Sequence, residues 1–400
     1  PMLHHPHIKT LKNNTNERQY YLDWMRILLI LTVFLFHIGM IFNNFDWHIK
    51  NEKQFAGLAP IMSFLHLWRM PLLFLISGAG TYYALGKRTQ KHYLKERFQR
   101  LVIPLIAGIF ILVPVQVYIE RIDQYDSLLN YYLHMFDGVY PAGNFSWHHL
   151  WFIAYLFLIS LLISPLLGYF KSKSFRAFKI WIEIIVKKPG GMNVIILPLL
   201  ASQLLLKPLF PRETHDIVND WAFISFNLIF FLAGFMLFVN PRVIHQLKKQ
   251  KHLYLIEAIL AAGLWFISRF HWDPPFILDE LIRIVTAWSC SVAAISYAAA
   301  GLNKNTQLRK PLNEAIYPFY LLHQPVIIIL GYFVTQWSIP VFGKAALITL
   351  ISFTASAGIY WYLIRPFNHI RVLFGMKPSS KTSRQKEMNR TCLPARERFS

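Results

Sequence analysis

Arg26 and His37 stand eleven residues apart in the otherwise almost wholly apolar stretch from Trp24 to Phe42. Eleven residues make about three helical turns, so both side chains leave one helix face, roughly 16 Å apart along the axis. Asp23 shares that stripe, at its mouth. Ionisable groups inside a membrane-length helix are costly and normally face a protein interior or a wet cavity. An imidazole there can take and return a proton near neutral pH, which suits general-base work on a hydroxyl. The structural alternative is a snorkelling Arg26 and a His37 satisfied by a backbone carbonyl.

Other polar residues in apolar surroundings extend the candidate set. Arg69 precedes Met70-Pro71-Leu72 in the outer third of the second apolar run, where a guanidinium needs an anionic or carbonyl partner, from the protein or a ligand. Ser77-Gly78, further along, reads as close helix packing. His149 and Trp151 open another run, in Trp147-His148-His149-Leu150-Trp151-Phe152. Tyr317 and His323 fall in Tyr317-Pro318-Phe319-Tyr320-Leu321-Leu322-His323-Gln324-Pro325. Pro325 has no N–H for the carbonyl of Leu321 and should kink the helix. His323, beside that break, either lines a cavity or caps freed carbonyls. Arg283 reads as a boundary residue. The basic segment Lys87 to Arg100 could clamp phosphates, although topology explains most of its charge. Phosphate-binding glycine loops, Gly-x-Ser-x-Gly and His-Glu-x-x-His are absent, which disfavours a soluble-type hydrolase or a nucleotide-driven pump. The rival to an enzyme is a secondary transporter or flippase using the same His and Arg residues as a proton relay or anion site.

The elements that must position these residues are membrane helices. Of 400 residues, 55% are hydrophobic, and the mean hydropathy is +0.36. The apolar residues are gathered into blocks of about 17–27, which is bilayer length. The fold class is therefore an all-α polytopic membrane protein with about ten transmembrane helices, near 24–42, 59–85, 101–119, 149–170, 193–210, 221–239, 253–269, 281–301, 315–335 and 342–365. The fifth, with Pro198 and Lys207, is the weakest, and the second could begin as an interfacial piece before Pro71. The segment from Asp123 to Asp137 is amphipathic enough to lie on a membrane surface. With the N-terminus inside, 32 of the 41 Lys and Arg residues fall on the cytoplasmic side, so both termini are expected there. The net charge of +21 is thereby explained by topology and anionic lipid, and no nucleic-acid partner is expected. Trp47, Trp147, Trp151, Trp221, Trp272 and Trp337 read as an interfacial belt.

The chain divides into a polar N-terminal segment (1–22), a membrane domain (23–370) and a basic, disordered-reading C-terminal tail (371–400). The first helix is expected to serve as its own insertion signal. Cys290 and Cys392 are not expected to pair, and His4, His5 and His7 read as a disordered cluster. No zinc motif is present in the sequence.

Five pieces in order resemble the acyltransferase 3 family of polytopic membrane acyltransferases. They are the Arg26–His37 spacing, Arg69-Met70-Pro71 running to Ile76-Ser77-Gly78, Arg100-Leu101-Val102-Ile103-Pro104, His149-Leu150-Trp151-Phe152, and the Tyr317–Pro325 stretch. The similarity covers about residues 19–370. Tyr21-Leu22-Asp23 with Arg26, and Phe45-Asp46-Trp47-His48-Ile49, are most similar to the glucan-biosynthesis branch, associated with succinylation of periplasmic glucans. The resemblance implies a bacterial inner-membrane enzyme. Acyl-CoA, as co-substrate rather than bound cofactor, would arrive from the cytoplasm, and a hydroxyl of a periplasmic or cell-envelope glycan would be acylated on the far side. The acyl group, succinyl or acetyl, stays open. His37 would activate the hydroxyl or carry the acyl group transiently, Arg26 would bind the donor, and Arg69 would stabilise the oxyanion or contact the acceptor. Asp23, His149, Trp151, Tyr317 and His323 would bind donor or substrate. No metal is needed, since coenzyme A is a good leaving group.

Overall fold

The computed structural model describes residues 19–85, 89–239 and 241–379. The terminal histidines, Lys87, Arg88 and Cys392 lie outside the described residues. Among those described there is no strand, and nine helices are long and apolar enough to cross a membrane. They are α1 (Tyr20–Phe42), α2 (Leu58–Leu85), α3 (Gln90–Glu120), α5 (His148–Leu166), α8 (Trp221–Val239), α10 (Lys251–Phe270), α11 (Phe276–Gly301), α12 (Arg309–Val334) and α13 (Val341–Ile364). Shorter helices fill the connections: α4 (Leu128–Leu133), α6 (Lys173–Lys187), α7 (Gly191–Leu206), α9 (Pro241–Lys249) and α14 (Asn368–Leu373).

The weak fifth expected span is α7. Its first five residues wind as a tighter 3-10 helix, so its sixteen residues reach about 26 Å against the roughly 30 Å of a hydrocarbon core. One end is held at Gly190, whose N–H donates to Gln250 Oε1 (3.1 Å). Near the other, Gln203 donates to the carbonyl of Ala222 (2.9 Å) and Lys207 pairs with Glu280. These anchors sit at opposite ends of its neighbours α8 and α11, so α7 traverses the bundle as a tenth, short crossing. We call the face that holds the start of α1 the basic face, and the other the opposite face.

Helix ends without solvent need protein partners. The N–H of Tyr20 donates to Asn303 Oδ1 (2.8 Å), which caps α1 from the α11–α12 turn. At the other end Lys50 Nζ donates to the carbonyls of Met40 (2.7 Å), Asn43 (2.5 Å) and Phe45 (2.9 Å). The second helix is continuous through Pro71, with no separate interfacial piece. The third starts a full three turns earlier than its apolar core, capped by Thr89, and passes Pro104 by way of a widened turn at 98–102.

The tightest crossing is that of α2 and α8. A Cβ on Gly78 would stand 1.9 Å from the carbonyl oxygen of Phe231, and one on Gly234 would stand 1.9 Å from that of Leu75. Two glycines thus bring the backbones together, as small residues do where lipid gives no hydrophobic drive. Outside, Leu35, Phe110, Leu197, Leu260, Phe342 and Phe353 are exposed, an apolar surface that suits lipid and not water.

Three expectations need correction. The tail does not begin at residue 371: Arg371 is buried and donates to Glu314 Oε1 (2.9 Å) and the carbonyls of Lys377 and Arg365. Residues 380–400 lie outside the described set. Of the tryptophans expected in an interfacial belt, Trp221, Trp272 and Trp337 are exposed, whereas Trp47, Trp147 and Trp151 turn inward onto histidines or their backbone. Arg283 is not a boundary residue but is paired with Glu280 (2.8 Å) and Gln203 (3.0 Å) inside the bundle.

Substituting Gly78 or Gly234 by Val should cost at least about 1–3 kcal/mol, because the opposing atoms are backbone and cannot rotate away. Thermal unfolding of the detergent-solubilised variants measures this; melting unchanged from wild type would refute the close crossing.

Candidate active site

His37 lies five residues, about 7.5 Å, before the end of α1 at the opposite face. Its Nδ1 is 2.8 Å from Nε2 of His323 on α12. His323 Nδ1 in turn is 2.6 Å from the carbonyl oxygen of Tyr320. A carbonyl only accepts, so His323 Nδ1 carries the hydrogen and its Nε2 carries a lone pair. His37 must then donate from Nδ1, which leaves the lone pair of the first imidazole on Nε2. The chain His37–His323–Tyr320 carbonyl therefore fixes one tautomer and aims a proton acceptor away from the relay. His323 is fully buried, while His37 is only half-buried and so reachable.

Pro325 explains where the third histidine goes. Helix α12 runs unbroken through Pro318 and Pro325, but Pro325 leaves the carbonyl of Leu321 without its helical donor. His149 Nε2 donates to that oxygen at 3.1 Å, and Tyr320 Oη returns a bond to the carbonyl of His149 at 2.5 Å. The freed carbonyl is capped by His149, from another helix, and not by His323. The rings of His149 and His323 are 5.5 Å apart.

Arg69 joins this group from α2. It is 2% exposed, its guanidinium lies 4.1 Å from the ring centroid of Phe36, and Nε and Nη1 have no hydrogen-bond partner. Leaving a buried cation's donors open is costly, so the site is built to receive an acceptor atom. Trp47, in the loop after α1, stacks over His37 at 6.0 Å with 12° between planes.

The other candidates sit elsewhere. Arg26 stays at the basic face, with Nη1 3.3 Å from Asn313 Oδ1 and 3.7 Å from Asp23 Oδ1. Asp23 is held by Arg309. The hydroxyl of Tyr317 donates to the carbonyl of Arg100 (2.8 Å), also at the basic face. Trp151 stacks on His215 (4.5 Å, 10°), on the other side of α5's first turn from the relay. Next to it Tyr155 donates to Asp220 Oδ2 (2.5 Å). Burial pushes the Asp220 carboxyl up to about 6, although the Tyr155 hydrogen bond pulls the other way.

Sequence reading missed a second polar network over the site. His48 Nδ1 pairs with Glu120, Tyr140 Oη donates to Glu120 (3.1 Å), and Gln324, the neighbour of His323, is 3.2 Å from His48 Nε2. It ties the Trp47 loop to α3 and α12. The signals were the Phe45–Ile49 motif, which contains His48, and Glu120, an acidic residue ending an apolar run. Among the described residues no three His, Cys, Asp or Glu side chains are grouped to hold a metal ion.

A bundle of membrane-length helices with a polar cluster of histidines and an arginine sunk in its apolar interior defines a multi-pass membrane protein with a buried polar centre. Comparison with known proteins then supplies the family. Residues 19–362 match the family described as Acyltransferase domain (Acyl_transf_3), and the chain belongs to it; the protein is a membrane acyltransferase. It is 21% identical over 342 residues to Glucans biosynthesis protein C of Salmonella typhi, covering 80% of this chain and 84% of the relative. Glucans biosynthesis protein C of Salmonella typhimurium matches at the same identity and coverage. No solved structure matches the chain.

Two predictions follow from this geometry. His149→Phe should cost about 1–3 kcal/mol by stranding the Leu321 carbonyl. Adding Pro325→Ala should recover part of that, since a helical N–H then reaches the same oxygen; a purely additive double variant would exclude the coupling. For Asp220, the folded pKa of about 6 lies above the ordinary 3.8, so its contribution is complete below about pH 4 and is lost as pH rises through 6. Asp220→Asn should abolish that decline, worth about 2–3 kcal/mol. Unfolding free energies of wild type and variant between pH 4 and 7, if parallel, would contradict it.

Proposed function

We propose that the protein moves an acyl group, such as succinyl or acetyl, from acyl-CoA entering at the basic face to a glycan hydroxyl entering at the opposite face. The observation that carries the reading is the oriented pair His37–His323 beside the open donors of Arg69. His37 Nε2 takes the proton of the acceptor hydroxyl as its oxygen attacks the thioester carbonyl. Arg69 stabilises the oxyanion that forms. As the carbonyl re-forms, the C–S bond breaks and the imidazolium returns the proton to the leaving thiolate. His323 holds the tautomer and shares the transient charge through its own bond to Tyr320.

Arg26, about 16 Å nearer the basic face, is suited to an anionic part of the donor. The long pantetheine arm of coenzyme A can span that depth. The similarity to proteins of glucan biosynthesis supports a glucan acceptor, and the topology and bacterial relatives support a bacterial inner membrane with both termini cytoplasmic.

In membrane vesicles given labelled acyl-CoA and glucan, His37→Ala should lower turnover by about 10²–10⁴-fold. Arg69→Ala should lower kcat by about 10²–10³-fold with the acyl-donor KM nearly unchanged. Arg26→Ala should instead raise the donor KM. Full label transfer by a well-folded His37→Ala protein removes that histidine from the mechanism.

A further inference from the structure

We propose that the wedge between α6, α7 and α8 at the basic face binds one anionic phospholipid, with an acyl chain between the helices and the headgroup at Arg176 and Lys179. The wedge begins at the corner that joins α6 to α7. Gly190 takes a left-handed φ of 66° there, and a Cβ on Gly191 would stand 2.0 Å from the carbonyl oxygen of Ile185. The corner needs both glycines. The two helices diverge from it, and the last turns of α8 close the back. The hollow holds about 440 Å³, within the range of small-ligand sites. On α8 its wall runs from Leu237 to Ala233, which is about 3–9 Å from the helix end. That depth is the upper part of one leaflet.

The lining selects a hydrocarbon chain. Every side chain around the hollow is apolar. On α6 they are Phe178, Trp181, Ile182, Ile185 and Val186, the stripe of an amphipathic helix. Trp181 on α6 and Leu197 on α7 are 49% and 66% exposed, so the hollow opens outward between the two helices. Walls without a polar partner penalise a sugar, a phosphate or a peptide backbone.

Charge decides which lipid. The polar face of α6 carries Lys173, Arg176 and Lys179, and among the described residues none of the three has an acidic partner. The one carboxylate of the helix, Glu183, is taken by Lys187 (3.0 Å) and Arg242 (2.8 Å). Lys179 Nζ lies 5.1 Å from the ring centroid of Phe175, whose ring is 5.9 Å from that of the wall residue Phe178. The cation therefore borders the apolar stripe at the wide end of the wedge. Burial and the neighbouring Arg176 together hold the Lys179 ammonium below its usual range. A lipid phosphate beside Arg176 and Lys179 relieves that repulsion, and basic side chains at an interface attract anionic lipid. Residues 380–400 of the chain are themselves mostly basic and polar, so they do not suit the wedge.

The test uses the full-length protein in phosphatidylcholine nanodiscs. These are doped with phosphatidylglycerol or phosphatidylcholine that carries bromine on its acyl chains, a contact quencher of indole fluorescence. The signal of Trp181 is the difference between wild type and Trp181→Phe. Brominated phosphatidylglycerol should quench it saturably, at a mole fraction at least about fivefold lower than brominated phosphatidylcholine, the gain expected from one basic side chain at a charged surface. Arg176→Gln combined with Lys179→Gln should erase that preference while both lipids still quench. Val194→Phe, which fills the hollow, should remove the saturable component, and Val194→Ala, which widens it, should keep it. Equal and unsaturable quenching by the two lipids would mean contact with bulk bilayer only and would overturn the proposal. A preference that survives the double variant would overturn it as well. Absence of quenching by either lipid would show the wedge covered by protein, a second copy included, with the same consequence.

Discussion

One missing hydrogen organises the interior. Pro325 strips the Leu321 carbonyl of its helical donor, and no water is at hand in an apolar bundle to replace it. The protein answers with His149 from α5, which in turn is bound through its own carbonyl by Tyr320. That exchange locks two helices distant in sequence at one level. It sets the turn of α12 in which Tyr320 offers a carbonyl to His323, and so the direction in which His323 presents Nε2 to His37. The tautomer of the His37 imidazole is thus traceable to a proline on another helix.

A second constraint brings in the cation. Gly78 and Gly234 let α2 and α8 approach to backbone contact, which fixes α2 about two and a half turns from Arg69. Helix α2 then delivers the guanidinium against Phe36 with donors unspent. Buried unpaired donors are rare because they are expensive, and those that persist tend to mark binding or catalysis. The bundle tolerates this one beside the rings of His37, His149 and His323 and near the opposite face.

The two faces divide the work. At the basic face Asp23, Arg26, Arg309 and Asn313 form one cluster, and Arg371 closes the C-terminal segment onto Glu314. At the opposite face Arg269 pairs with Asp279 and Glu280 holds both Arg283 and Lys207, and the Trp47 loop is tied down by His48, Glu120 and Gln324. The cluster of His37, His323, His149 and Arg69 lies between them, closer to the second.

Apolar blocks of bilayer length dictated the helices, because a spanning segment must satisfy its backbone internally and its composition shows it. The spacing of Arg26 and His37, and the conflict of Pro325 with its helix, were legible for the same local reason. Sequence periodicity says which face a residue occupies but not what faces it. Only the tertiary packing gave Arg26 its partner Asn313, matched His149 to the Leu321 carbonyl 172 residues away, and turned Trp151 toward His215. His48 was read only as part of a motif and Glu120 escaped notice; a loop histidine and a helix-end carboxylate acquire meaning when folding closes the distance between them. The chain encoded which groups are costly to bury, and the fold decided which partner relieves each cost.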